Sequence, residues 1–297
     1  MGRVLVMVLL LSGSALAALP VIGPEHLPVV PLPGSPLYSY FEAKGRAESG
    51  LSATTLVLDL ERPGRGRRAH VQPFWDDCSA ATLAAAGRVE YPLVLCFADP
   101  DGPGDALNGA SFRSLSIDAA VFCRITRDRE PAPKPEACTA VPACGFLADD
   151  VAGAYRIKIA PTVTVCDWYG NEYFRFRGRW PTADQLKRAI QGVPAKVAAA
   201  EMRLDKRFQA AKAAWEKQDR PGALRQILRN FRDEYVGLDA VTRTIALYDE
   251  IMAAARAEIA ALKASGDRAG LEKVVKELKG TDAVKDAEEV LDALGGE

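Results

Sequence analysis

Residues 91–99 read Tyr-Pro-Leu-Val-Leu-Cys-Phe-Ala-Asp, a nearly unbroken apolar run. A run this short and this apolar is a strand covered on both faces, so the fold must supply layers above and below it. The neighbouring sequence has the material. The alanine-rich stretch Asp76–Gly87 predicts a helix capped by Asp76 or Asp77. A second helix is expected to start near Asp105, and Ala120–Thr126 reads as another buried strand. Phe146–Tyr155 reads as a short helix, Thr162–Cys166 and Tyr173–Arg177 as strands joined by a turn at Gly170, and Thr182–Gln191 as a closing helix. That order predicts an α/β unit, a mixed sheet flanked by helices, over residues 72–192.

The two ends of the chain differ from this unit. Arg3, the apolar run Val4–Leu11 and the small residues ending Ala15-Leu16-Ala17 have the pattern of a secretory signal peptide, residues 1–17, cleaved after Ala17. Export to a periplasmic or extracellular space follows, and no later stretch is apolar and long enough to span a membrane. Residues 18–71 form an arm and linker rich in Pro20, Pro24, Pro28, Pro31, Pro33 and Pro36. Within it Thr54–Leu60 has strand character, and Arg62–Arg68 reads as a solvated basic loop.

From residue 195 to 297 the pattern is helical only. Asp219-Arg220-Pro221-Gly222 returns 48 residues later as Asp267-Arg268-Ala269-Gly270. Apolar stripes follow both, Leu224, Ile227, Leu228 and Phe231 against Leu271, Val274, Val275 and Leu278, which predicts a repeated helical hairpin.

Composition narrows the chemistry. Over 297 residues the formal net charge is −1, which argues against binding driven by phosphate neutralisation. Two histidines, His26 and His70, argue against a histidine-ligated metal or a Ser-His-Asp triad. Asp99, Asp101, Asp105 and Asn108 do not have calcium-loop spacing and read as turn formers and a cap. No metal, cofactor or catalytic set is expected. In an oxidising compartment the six cysteines can pair, but none is spaced as C-x-x-C. Cys138 and Cys144, close together in a Pro-rich loop, are candidates for a local disulfide. Cys96, Cys123 and Cys166 on buried strands read as inert thiols, with a Cys96–Cys123 cross-strand bridge as the lesser alternative. Arg175, Arg177 and Arg179, alternating with Phe174 and Phe176, suit an exposed sheet edge. Trp75, Trp168, Trp180 and Trp215 read as packing residues.

Residues 155–162, Tyr-Arg-Ile-Lys-Ile-Ala-Pro-Thr, followed by Gly170, Phe174, Phe176, Gly178, Asp184, Leu186 and Ile190, resemble the thioredoxin superfamily over residues 72–192. The resemblance implies a cis Ala160–Pro161 bond and a peptide-binding role for Ala160, Pro161 and Thr162, whose backbone would pair with an extended partner. It also locates the family's active-site motif at Phe97-Ala98-Asp99-Pro100-Asp101-Gly102-Pro103-Gly104. There Asp101 and Gly104 stand in place of both cysteines around Gly102 and Pro103, and Leu95 stands in place of a buried aspartate. Thiol–disulfide exchange needs a low-pKa thiolate and a resolving thiol, so the ordinary activity is not expected. The helical part, with Ala283–Leu291 reading Ala-Val-Lys-Asp-Ala-Glu-Glu-Val-Leu, is similar to tetratricopeptide hairpins. Together these imply a redox-inactive module that binds protein or peptide. The alternative is a thiol-disulfide oxidoreductase working through Cys138 and Cys144.

Overall fold

In the computed structural model, residues 75–76, 78–98, 106–107, 109–126 and 141–294 are described. The expected signal peptide, arm, Thr54–Leu60 strand, Asp101–Gly104 motif and Cys138 lie outside them. Five strands form one sheet: β1 (Trp75–Asp76), β2 (Leu93–Ala98), β3 (Val121–Thr126), β4 (Thr162–Cys166) and β5 (Glu172–Arg177). Their spatial order is β1-β3-β2-β4-β5. β1 and β2 each run parallel to β3, whereas β4 is antiparallel to both β2 and β5. Parallel neighbours need crossover connections, and helices α1 (Ala80–Val89) and α2 (Ala110–Asp118) supply them. β2 is therefore central, and none of its six residues exceeds 2% exposure.

Local chemistry sets the boundaries. Helix α1 starts at Ala80 because Ser79, not Asp76 or Asp77, is the cap: its Oγ accepts from the Thr82 N–H at 3.1 Å. Asp76 is instead extended and paired with Cys123 in β1, a two-residue strand too short to leave a sequence period. The expected Phe146–Tyr155 helix is two pieces, a 3-10 turn at Gly145–Leu147 and a single turn, α3 (Val151–Ala154), capped by Asp150. The register also removes the Cys96–Cys123 alternative. Cys96 pairs with Arg124, and Cys123 with Leu95, so the two thiols point to opposite faces.

Beyond the sheet, α4 (Ala183–Glu216), α5 (Arg220–Phe231), α6 (Asp239–Ser265), α7 (Arg268–Glu277) and α8 (Ala283–Ala293) follow. Helix α4 opens with a capping box between Thr182 and Gln185, then runs through Gly192 and Pro194 without ending. Its first turns pack Leu186, Ala189, Ile190 and Val193 into the core, and its later turns bury Ala200, Leu204 and Ala211. Gly192 is there for close approach: a Cβ at that position would lie 2.9 Å from the Phe174 ring on β5.

The 48-residue repeat is structural at its turns. Asp219 and Asp267 each accept from the glycine N–H three residues on, at 2.9 and 3.0 Å. Their own N–H groups close onto Ala214 and Leu262, again 48 apart. The apolar stripes are one residue out of step with the caps, yet the positions four and eleven residues after each cap are buried in both repeats. Ala223 takes the place of Leu271, and buried Asn230 takes that of Leu278. Asn230 Nδ2 donates to the Leu204 carbonyl at 3.0 Å and to Thr244 Oγ1 at 3.1 Å, tying α4, α5 and α6 together. All described residues belong to one compact unit, and no helix among them is long and apolar enough to cross a membrane.

Two glycines separate backbone from packing effects. Gly237 has φ +74°, and a Cβ there would lie 2.4 Å from the Tyr169 ring, whereas Gly266 has φ +69° with nothing within 4 Å. Gly266→Ala is expected to cost only the left-handed penalty, about 1 kcal/mol, and Gly237→Ala about 3 kcal/mol or more, as read from urea unfolding midpoints. Equal costs would contradict the packing described.

Candidate functional site

Two regions among the described residues are candidate sites. The first is the sheet end where β4 begins. The Ala160–Pro161 bond is cis. Thr162, 1% exposed, donates its hydroxyl to the Ile159 carbonyl at 2.6 Å, and the Gly178 N–H donates to the Pro161 carbonyl at 2.8 Å. These bonds fix Ile159 to Thr162 in shape, yet Ile159 stays 55% exposed. Among the described residues, Ala160 makes no backbone hydrogen bond. Register pairs Thr162 with Phe97, so the end of β2, after which the sequence runs into Asp99–Gly104, borders this point.

The second region is a cleft of about 560 Å³ at the other end of β4, between the β4–β5 turn and the segment after α5. Its wall is held by a buried polar knot. The Asp167 carboxylate, fully buried, accepts from the N–H groups of Tyr169 and Asn171, both at 2.9 Å, and from Asn171 Nδ2 at 2.8 Å. Asn171 also donates to the Val236 carbonyl and accepts from the Val236 N–H, each at 2.8 Å. One side chain thus joins the sheet's last turn to the helical part, with every contact satisfied as burial requires. Tyr155 donates its hydroxyl to the Gly170 carbonyl, and Arg175 clamps Glu172 and donates to the Tyr155 carbonyl at 2.7 Å. Its acidic side chains are paired: Arg156 binds Glu234, and Arg203 and Arg207 both reach Asp233, at 3.1 and 2.8 Å.

The residues singled out from sequence do not converge. Ala160, Pro161 and Thr162 open β4, while Cys144 lies beyond its other end, its thiol donating to the Tyr169 carbonyl at 3.5 Å. The length of β4 separates them by roughly 15 Å at about 3.3 Å per residue. No disulfide is present among the described residues, and Cys144 is unbridged there. Burial raises the Cys144 thiol above its ordinary value and pushes Cys96 and Cys166, both fully buried, far higher. Groups held as neutral thiols are poor nucleophiles. Among the described residues no cluster of His, Cys, Asp and Glu could hold a metal ion. Asp167 and Asn171 escaped sequence reading. Asp167-x-x-Gly170-Asn171 carries a turn signal, but the bond to Val236, 65 residues away, leaves none.

Burial raises the Asp167 carboxyl above its ordinary value, opposed by its bonds to Asn171 and to the backbone. A carboxyl with a raised folded-state pKa holds its proton more tightly when folded. The native state therefore loses stability as pH climbs from the unfolded-state value, about 4, through the folded one. The unfolding free energy of wild type minus that of Asp167→Asn is expected to fall between pH 4 and 7 in urea titrations. A difference flat with pH would contradict the assignment.

In comparisons with known proteins, no family model matches the sequence and no curated protein matches it.

Proposed function

We propose that this chain is a non-catalytic binding module of the thioredoxin superfamily, exported, carrying tetratricopeptide-like hairpins and taking an extended protein or peptide segment at the sheet end beside Ala160 and Pro161. One observation carries the reading. At the entry to β4 an Ala160 backbone that makes no hydrogen bond among the described residues and a 55% exposed Ile159 lie beside the end of β2. An extended chain can add main-chain hydrogen bonds at such a point and bury an apolar side chain against Ile159. Support comes also from the strand order and directions, which accommodate the motif order read from the sequence. Asp101 and Gly104 in place of the dithiol, and buried thiols elsewhere, favour recognition over exchange.

The test pairs a binding assay with a redox assay on the full chain. Reduced, carboxymethylated lactalbumin, a permanently unfolded polypeptide, is the probe in titration calorimetry. Wild type is expected to bind it, Ala160→Trp to bind at least about tenfold more weakly with unchanged circular dichroism, and insulin reduction to stay at background. Catalysed insulin reduction that disappears in Cys144→Ser would overturn the reading in favour of an oxidoreductase. Binding indifferent to Ala160→Trp and to Ile159→Asp would remove the proposed site.

A further inference from the structure

Cys78 and Cys123 form a contact that no spacing rule identifies. Cys78 lies between β1 and α1, one residue before the Ser79 cap, and is partly exposed. Cys123 is in the middle of β3, fully buried, paired through its backbone with Asp76 of β1 and Leu95 of β2. The register sets Asp76 beside Cys123. Two residues on, the Cys78 thiol donates to the carbonyl of Arg124, the chain neighbour of Cys123, at 3.8 Å. The two cysteine side chains thus meet at the sheet edge, within hydrogen-bonding reach of each other. The only other cysteine on a strand next to β3, Cys96, points to the opposite face from Cys123. Cys166 is a further strand away, on β4.

We infer that Cys78 and Cys123 are a disulfide-forming pair that staples the entry of the α/β unit to β3. The location explains what the bond would do. β1 is an edge strand of two residues held by two register pairs, Trp75 with Phe122 and Asp76 with Cys123. A strand of this length contributes little cohesion by itself. A covalent link from the residue pair just beyond it closes a loop through α1, β2 and α2 and restricts the unfolded chain.

Exposure assigns the order of events. With glutathione disulfide as oxidant, the partly exposed Cys78 sulfur, as thiolate, attacks one glutathione sulfur. The first glutathione leaves as a thiolate and takes up the proton Cys78 has lost. Burial keeps the Cys123 thiol neutral, so the second step is the slow one: the Cys123 sulfur, held beside Cys78, displaces the second glutathione and its proton goes to that leaving group. The chain gives up two hydrogen atoms, glutathione disulfide becomes two glutathione thiols, and one S–S bond is exchanged for another.

The experiment equilibrates the folded full chain in a buffer of mixed reduced and oxidised glutathione, followed by acid quench, alkylation in denaturant and peptide mass mapping. The expected result is a cross-linked peptide pair containing Cys78 and Cys123, both missing from the alkylated set. The same sample is expected to unfold at a Tm about 5 °C or more higher than after dithiothreitol, a shift lost in Cys78→Ser and retained in Cys96→Ala. Recovery of Cys78 and Cys123 both alkylated, or of Cys78 joined to any other cysteine, overturns the inference. Should Cys78→Ser fail to fold, the mapping of wild type decides alone.

Discussion

Helix α4 is shared by both halves of the described chain, and its two sets of buried residues answer to different cores. Leu186, Ala189, Ile190 and Val193 close one face of the sheet, and Ala200, Leu204 and Ala211 seed the hairpins. Because the helix is continuous over 34 residues, the orientation of the sheet's cover also sets the orientation of α5 and α6. Pro194 removes one backbone donor from this helix, a local cost that packing on both sides outweighs. A second tie lies off the helix, where Asn171 joins the β4–β5 turn to Val236. The cleft exists because these two ties are separated along the chain.

What could be read from the sequence was whatever a local rule governs. The apolar run of β2, the alternation of β5, the helix start at Thr182 and the recurring turns at Asp219–Gly222 and Asp267–Gly270 act over a few residues, and each is in the structure where its residues place it. The reading failed where distant packing overrides a local signal. Gly192 and Pro194 look like a helix end, but Gly192 answers to the Phe174 ring across on β5. Asp76 looks like a cap, but it is drawn into a strand by β3. Of the candidate site, Pro161 and its neighbours were legible as a motif. Asn171, Asp167 and the Cys78–Cys123 contact were not, because each depends on residues tens of positions away.

The distribution of thiols and of unpaired backbone leads to the same functional view. Buried, neutral thiols on β2 and β4 are core residues, and their chemistry is suppressed by the environment that makes them good packing. Ile159, at the entry to β4, is exposed beside them, as are Leu147 and Met202 elsewhere.

Native-state hydrogen exchange under increasing urea tests this mechanical unity most directly. If α4 and the Asn171 tie couple the two halves, peptides from β2 and β4 and peptides from α5 and α6 are expected to exchange through one opening reaction, with the same free energy and the same urea dependence. Exchange of α5 and α6 through a separate, shallower opening while β2 and β4 stay protected would contradict the account.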